Sequence, residues 1–73
     1  MKLNQKVVIV TGANGGLGNT VTTAFLEAGA RVAGVSRSIK DADFPHVNFA
    51  AMPTTLATHA DAQQLVEQVL HRF

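Results

Sequence analysis

The chain has 73 residues, six Lys and Arg against five Asp and Glu, and a formal net charge of +1. That length allows one domain at most, and a charge so near neutral argues against a nucleic-acid or anionic-membrane surface. The chain has no cysteine, which excludes disulfides and thiolate metal sites as braces.

The opening MKLNQK lacks the apolar core of a signal peptide. No apolar run reaches the length of a membrane span. The expected setting is the cytoplasm. Lys6 to Val10, KVVIV, is apolar without alternation, the pattern of a strand buried on both faces of a parallel sheet. TGANGGLG follows, residues 11 to 18, with four glycines in eight positions. Glycine costs backbone entropy, so bare backbone must be needed there. Behind it, Leu17, Val21, Phe25 and Ala28 recur at helical spacing with Ala24 beside them. Gly29 stands where a left-handed helix end wants glycine. Arg31 to Val35, RVAGV, reads as a second strand, completing a βαβ unit.

Ser36 to His46 is polar and contains Pro45. It is short for a parallel crossover, which predicts a reduced or irregular second helix. Val47 to Met52 reads as a third strand, and PTTLATHA as a loop. Thr58 and Asp61 have capping-box spacing, with Asp in place of Glu or Gln. Beyond them Ala62, Leu65, Val66, Val69, Leu70 and Phe73 form one helical stripe. The fold class expected is α/β, a β-α-β-β-α arrangement over residues 1–73 with three parallel strands.

A strand entering a glycine turn and then a helix builds an anion site, because the helix N-terminus offers free N–H groups and a positive dipole end. The P-loop pattern fails, since Gly18 is followed by Asn19 and Thr20 rather than Lys and Ser or Thr. GxGxxG fails too, because Val21 stands where Gly or Ala belongs. TGxxxGxG does fit, through Thr11, Gly12, Gly16 and Gly18, with Leu17 between the last two glycines. Gly29, Ala30 and Val32 open the second strand in a GA-x-V pattern.

Together these features resemble the short-chain dehydrogenase/reductase family. The resemblance implies a doubly wound sheet that binds NAD or NADP, present here as a partial Rossmann arrangement whose three-stranded parallel sheet has the order 3-2-1. It implies that Gly12, Asn14, Gly16, Leu17 and Gly18 line the pyrophosphate and adenosine ribose. Gly15, beside them, stands where NADP users often carry Arg or Ser. At the end of the second strand an Asp or Glu would accept from the ribose 2′-OH of NAD. This chain has Ser36 there, followed by Arg37. A guanidinium pairs with phosphate in a forked, charge-assisted geometry, so NADP is the expected cofactor. Where the family tends to place an Asp near adenine, this chain has Thr55 and then Leu56.

The family's later catalytic Ser and Tyr-x-x-x-Lys have no counterpart in these 73 residues, which contain no tyrosine. The lysines near the start and Lys40 do not stand in for the catalytic one. No catalytic residue is expected here, and no hydride transfer by this polypeptide alone. The reading is the NADP(H)-binding N-terminal portion of an oxidoreductase that moves hydride between NADPH and a carbonyl or alcohol. The alternative is a non-catalytic half-Rossmann module that pairs with itself or a complementing chain. Either way, self-association is expected through the exposed edge of the first strand. His46, His59 and His71 lack metal-site spacing, and no metal is expected. Ser36 and Ser38 have no base at recognisable spacing. Asp41 and Asp43 read as solvated loop carboxylates.

Overall fold

Every residue of VVIVT, Val7–Thr11, is β-branched, and such side chains favour extended backbone. The segment forms β1. A computed structural model describes residues 3–73; Met1 and Lys2, part of the opening read above, lie outside the described residues. After β1 come helix α1 (Gly16–Glu27), strand β2 (Arg31–Ser36), a 3-10 turn (Asp41–Asp43), strand β3 (Phe49–Pro53) and helix α2 (His59–Arg72).

The three strands are parallel, in the spatial order β1-β2-β3, with Val10 opposite Gly34 and Gly34 opposite Ala51. This is the α/β class and the 3-2-1 order expected. β2 is central, and Val32, Ala33, Gly34 and Val35 are all buried. Its alternate side chains serve two cores. Val32 belongs to a cluster with Val10, Ala13, Leu26, Ile39, Phe44 and Phe49. Ala33 and Val35 pack with Leu65 and Val69 of α2 on the opposite face. Phe44 and Phe49 hold their rings 4.7 Å apart at a 42° tilt, so the short crossover adds an aromatic pair to the α1 side.

Both helices are anchored at the ends the sequence marks. Gly29 has φ +92° just past α1. At the start of α2, Thr58 Oγ1 accepts from the Asp61 N–H, and Asp61 Oδ2 accepts from the Thr58 N–H, each at 3.1 Å. Among the described residues, no helix is long and apolar enough to cross a membrane.

Four expectations change in detail. The buried line of α1 is Thr22 and Leu26, not Leu17–Val21–Phe25. Gly18 heads that line at the same four-residue spacing, and its close seat on the loop sets the roll of the helix. Val21 and Phe25 become a flank beside β1, and Leu17 is 80% exposed. On α2 only Leu65 and Val69 are buried, while Ala62, Val66 and Leu70 are exposed; the helix meets the sheet at Ala33 and Val35 of β2 and at Met52 of β3. β3 starts at Phe49, since Val47 and Asn48 form a turn. The crossover is the reduced helix expected, one 3-10 turn, but its acids are engaged: Asp43 Oδ2 accepts from the Lys40 N–H at 3.0 Å, and Asp41 Oδ1 from the Ala51 N–H at 2.8 Å.

Candidate functional site

The chain leaves β1 at Thr11 and turns at Gly12, whose φ of +64° lies in the left-handed region. The Gly12 N–H donates to the Val35 carbonyl at 2.7 Å, tying the loop to the end of β2. The Gly15 N–H donates back to the Gly12 carbonyl at 3.0 Å, and the first helical bond runs from the Asn19 N–H to the Gly15 carbonyl at 2.7 Å. A Cβ on Gly18 would overlap the Gly12 carbonyl oxygen, so only glycine lets the helix sit this close to the loop. A Cβ on Gly16 would meet nothing within 4 Å. That glycine faces open space.

Gly15 is the N-cap of α1, and no side chain caps it. The first turn holds no acidic residue. The N–H groups of Gly16, Leu17 and Gly18 precede Asn19, the first intrahelical donor, and the dipole end they form is uncompensated. At α2 the third of these groups, the Asp61 N–H, is capped by Thr58 Oγ1, and Asp61 places a carboxylate in the first turn.

Beside this loop lies a cleft of about 340 Å³, lined in part by Gly12, Ser36, Arg37, Thr55 and Leu56. The fold therefore brings the end of β2 and the loop after β3 to the start of the glycine turn. The Thr54 N–H donates to the Ser36 carbonyl at 3.1 Å and holds that loop in place. No Asp or Glu lines the cleft among the described residues. Asn14, Gly15, Gly16, Leu17 and Gly18 occupy the adjoining turn and the first turn of α1. A larger open groove of about 760 Å³ lies between β3 and α2 and includes none of the glycine-loop residues.

Sequence reasoning missed one link. Asn14 Nδ2 donates to Ser38 Oγ at 3.1 Å, and the Ser38 N–H donates to Ser36 Oγ at 3.3 Å. The Ser-Arg-Ser order of residues 36–38 is the only trace of it in the sequence. A contact across 24 residues has no local signature.

The profile of the short chain dehydrogenase family matches residues 6–73. An ipsdienol dehydrogenase of Ips pini is 29% identical over all 73 residues, which span 29% of its length. Among solved structures, a 3-ketoacyl-(acyl-carrier-protein) reductase from Brucella melitensis, complexed with NADH, is 27% identical with a TM-score of 0.81. The match covers 97% of this chain and 31% of that one. An NADP complex of RhlG from Pseudomonas aeruginosa is 26% identical with a TM-score of 0.81, covering 99% of this chain and 30% of the other. A short chain dehydrogenase from Leptospira borgpetersenii with bound NAD+ shares the fold at a TM-score of 0.80 and 17% identity, over 97% of this chain and 28% of that one. The chain thus spans less than a third of the length of these relatives.

Proposed function

The chain belongs to the short-chain dehydrogenase family, and from that premise we propose that it forms the adenosine-binding half of an NADP(H) site in an oxidoreductase. The observation that carries the reading is the cleft joining Gly12 to Ser36 and Arg37 beside the uncapped start of α1. The free amides of Gly16, Leu17 and Gly18 suit a pyrophosphate, and the open space at Gly16 leaves room for it. Thr55 and Leu56 suit the adenine edge. The cofactor, when bound, supplies or takes up hydride for a carbonyl or alcohol substrate.

The relatives carry NAD+, NADH or NADP, so the preference for NADP rests on this chain's own residues. A carboxylate after β2 would repel a 2′-phosphate. Here a hydroxyl, Ser36, and a guanidinium, Arg37, stand in its place. The test is an NMR titration of the 73-residue polypeptide, following the amides of Gly12 to Gly18. Adenosine 2′,5′-bisphosphate should bind at around millimolar, which corresponds to roughly 4 kcal/mol, and better than 5′-AMP. Arg37→Ala should remove most of that difference, and Ser36→Asp should reverse it. No movement of those amides at about 10 mM, roughly ten times that dissociation constant, would defeat the reading.

A second part of the proposal concerns partners. Gly12 N–H bonds to Val35 and Arg31 N–H bonds to Lys6, so the amides of Val7, Ile9 and Thr11 face away from β2. Val7 and Ile9 are 43% and 40% exposed. An apolar groove of about 420 Å³ runs along this edge, between β1 and the Leu17–Val21–Phe25 flank of α1. Such an edge is a template for strand pairing. It supports self-association of this polypeptide through β1.

A further inference from the structure

Asn14 is followed by Gly15, and this is the one Asn-Gly pair in the chain. A glycine nitrogen has no Cβ beside it to shield it, so the side-chain carbonyl of the preceding asparagine can reach it. Both residues are exposed, in the turn between β1 and α1. The other asparagines are placed differently. Asn4, Asn19 and Asn48 precede Gln5, Thr20 and Phe49, which all carry side chains, and Asn19 lies within α1. Two hydrogen bonds hold the Asn14–Gly15 pair at rest. Asn14 Nδ2 donates to Ser38 Oγ at 3.1 Å, and the Gly15 N–H donates to the Gly12 carbonyl at 3.0 Å. Each is made by an exposed residue, so water can replace it.

We propose that Asn14 is a site of spontaneous covalent modification, at which the Gly15 nitrogen attacks the Asn14 side-chain carbonyl and the turn exchanges a neutral amide for a carboxylate. The bond that forms joins Gly15 N to Asn14 Cγ, and the bond that breaks is Cγ–Nδ2. The proton lost from Gly15 N goes to the departing nitrogen, which leaves as ammonia. Attack within one chain gains from proximity. Water then opens the succinimide ring. Opening at Cγ gives aspartate, and opening at the backbone carbonyl carbon gives isoaspartate, with the chain rerouted through Cβ and Cγ. Either product places a negative charge one residue before the N-cap of α1, an end that no side chain caps and no acid in the first turn compensates. A charge there stabilises the helix start and repels an anionic ligand. The modification itself needs no ligand, while its effect on phosphate binding rests on the nucleotide reading above.

The test ages the folded polypeptide in mildly alkaline buffer and maps its peptides by mass, with isoaspartate scored separately. The mass change of NH2 exchanged for OH should accumulate at Asn14 ahead of every other asparagine. Gly15→Ala should slow it by about tenfold or more, because a Cβ shields the nitrogen. That Cβ would meet only the Gly12 carbonyl oxygen, at 3.4 Å, so the turn accommodates it. Ser38→Ala frees the Asn14 amide and should speed conversion about fivefold, the rate equivalent of one net hydrogen bond. The aged chain and an Asn14→Asp variant should each hold adenosine 2′,5′-bisphosphate and 5′-AMP about fivefold more weakly than the parent, read by NMR. Conversion in the urea-unfolded chain but not in the folded one would show that the turn forbids the attack, and overturns the proposal. Conversion at the parent's rate in Gly15→Ala overturns it as well, since the Gly15 nitrogen would not be the nucleophile. An aged chain that binds both probes like the parent overturns the effect assigned to the carboxylate. Conversion at Asn14 in a polypeptide that binds neither probe, fresh or aged, upholds the modification and defeats the nucleotide reading.

Discussion

Asp41 Oδ1 accepts a 2.8 Å hydrogen bond from the Ala51 N–H, and with it the outer edge of the sheet at β3 is closed. In β3 the alternate N–H groups of Phe49 and Ala51 face outward. The Phe49 N–H donates to the His46 carbonyl at 3.0 Å. Pro53, the next outward position, has no N–H to offer. No N–H is left on that edge for another strand to take. β1, on the far side, has no such cover among the described residues.

Asp41→Ala should therefore reopen β3. One net hydrogen bond is worth about 0.5–1.5 kcal/mol, and the urea midpoint should fall accordingly. Asp41→Asn keeps an acceptor oxygen and should recover part of the loss. Equal midpoints for the parent and Asp41→Ala would show that solvent satisfies the Ala51 amide just as well.

The open edge gives the opposite expectation. Sedimentation of the polypeptide should show a mass that rises with concentration. Ile9→Lys puts a charge on the exposed face of β1, a device that natural edges use against pairing. It should shift the distribution toward monomer. A parent that stays monomeric at high concentration removes β1 as an association edge.

Element types were legible in the sequence because they follow from local pattern, and the sheet order followed from the family resemblance. VVIVT and RVAGV are short apolar runs, and Thr58 with Asp61 is a cap readable by spacing alone. The roll of α1 was not legible. Leu17, Val21 and Phe25 are its most apolar line, yet Gly18, Thr22 and Leu26 face inward, because the contact between Gly18 and Gly12 fixes the helix before hydrophobicity is counted. At the candidate site, Gly12, Ser36, Arg37, Thr55 and Leu56 were readable from their places after each strand. Ser38 was not, because its partner, Asn14, lies on another loop. Asp41 was missed because its partner, Ala51, lies ten residues on in β3.

That roll leaves a polar atom in the core. Thr22 is fully buried, and its Oγ1 has no hydrogen-bond partner. An unsatisfied buried hydroxyl costs roughly 1–3 kcal/mol. Thr22→Val replaces it with a methyl of similar size. Denaturant unfolding should show Thr22→Val more stable than the parent, by about 1 kcal/mol, since the two residues have about equal helix preference. A loss of stability would mean that the hydroxyl has a partner in solution, such as an enclosed water.

Two glycines six residues apart or less from Gly12 separate folding from binding. At Gly18 a Cβ would run into the Gly12 carbonyl oxygen, with the Gly12 carbonyl carbon at 2.7 Å. Both are backbone atoms, which yield only if the loop moves. Gly18→Ala should cost roughly 1–3 kcal/mol or more, the range for forcing atoms into a packed site. At Gly16 a Cβ would meet nothing, and alanine is the better helix residue. Gly16→Ala should thus leave the unfolding midpoint unchanged or slightly raised. If that open space admits the pyrophosphate, the same methyl group should occupy it. The Gly12 to Gly18 amides should then lose their response to adenosine 2′,5′-bisphosphate in a protein that is fully folded. A Gly16→Ala variant that is stable and still binds like the parent would show that the phosphates lie elsewhere, and the glycine turn would be left with its packing role at Gly18 alone.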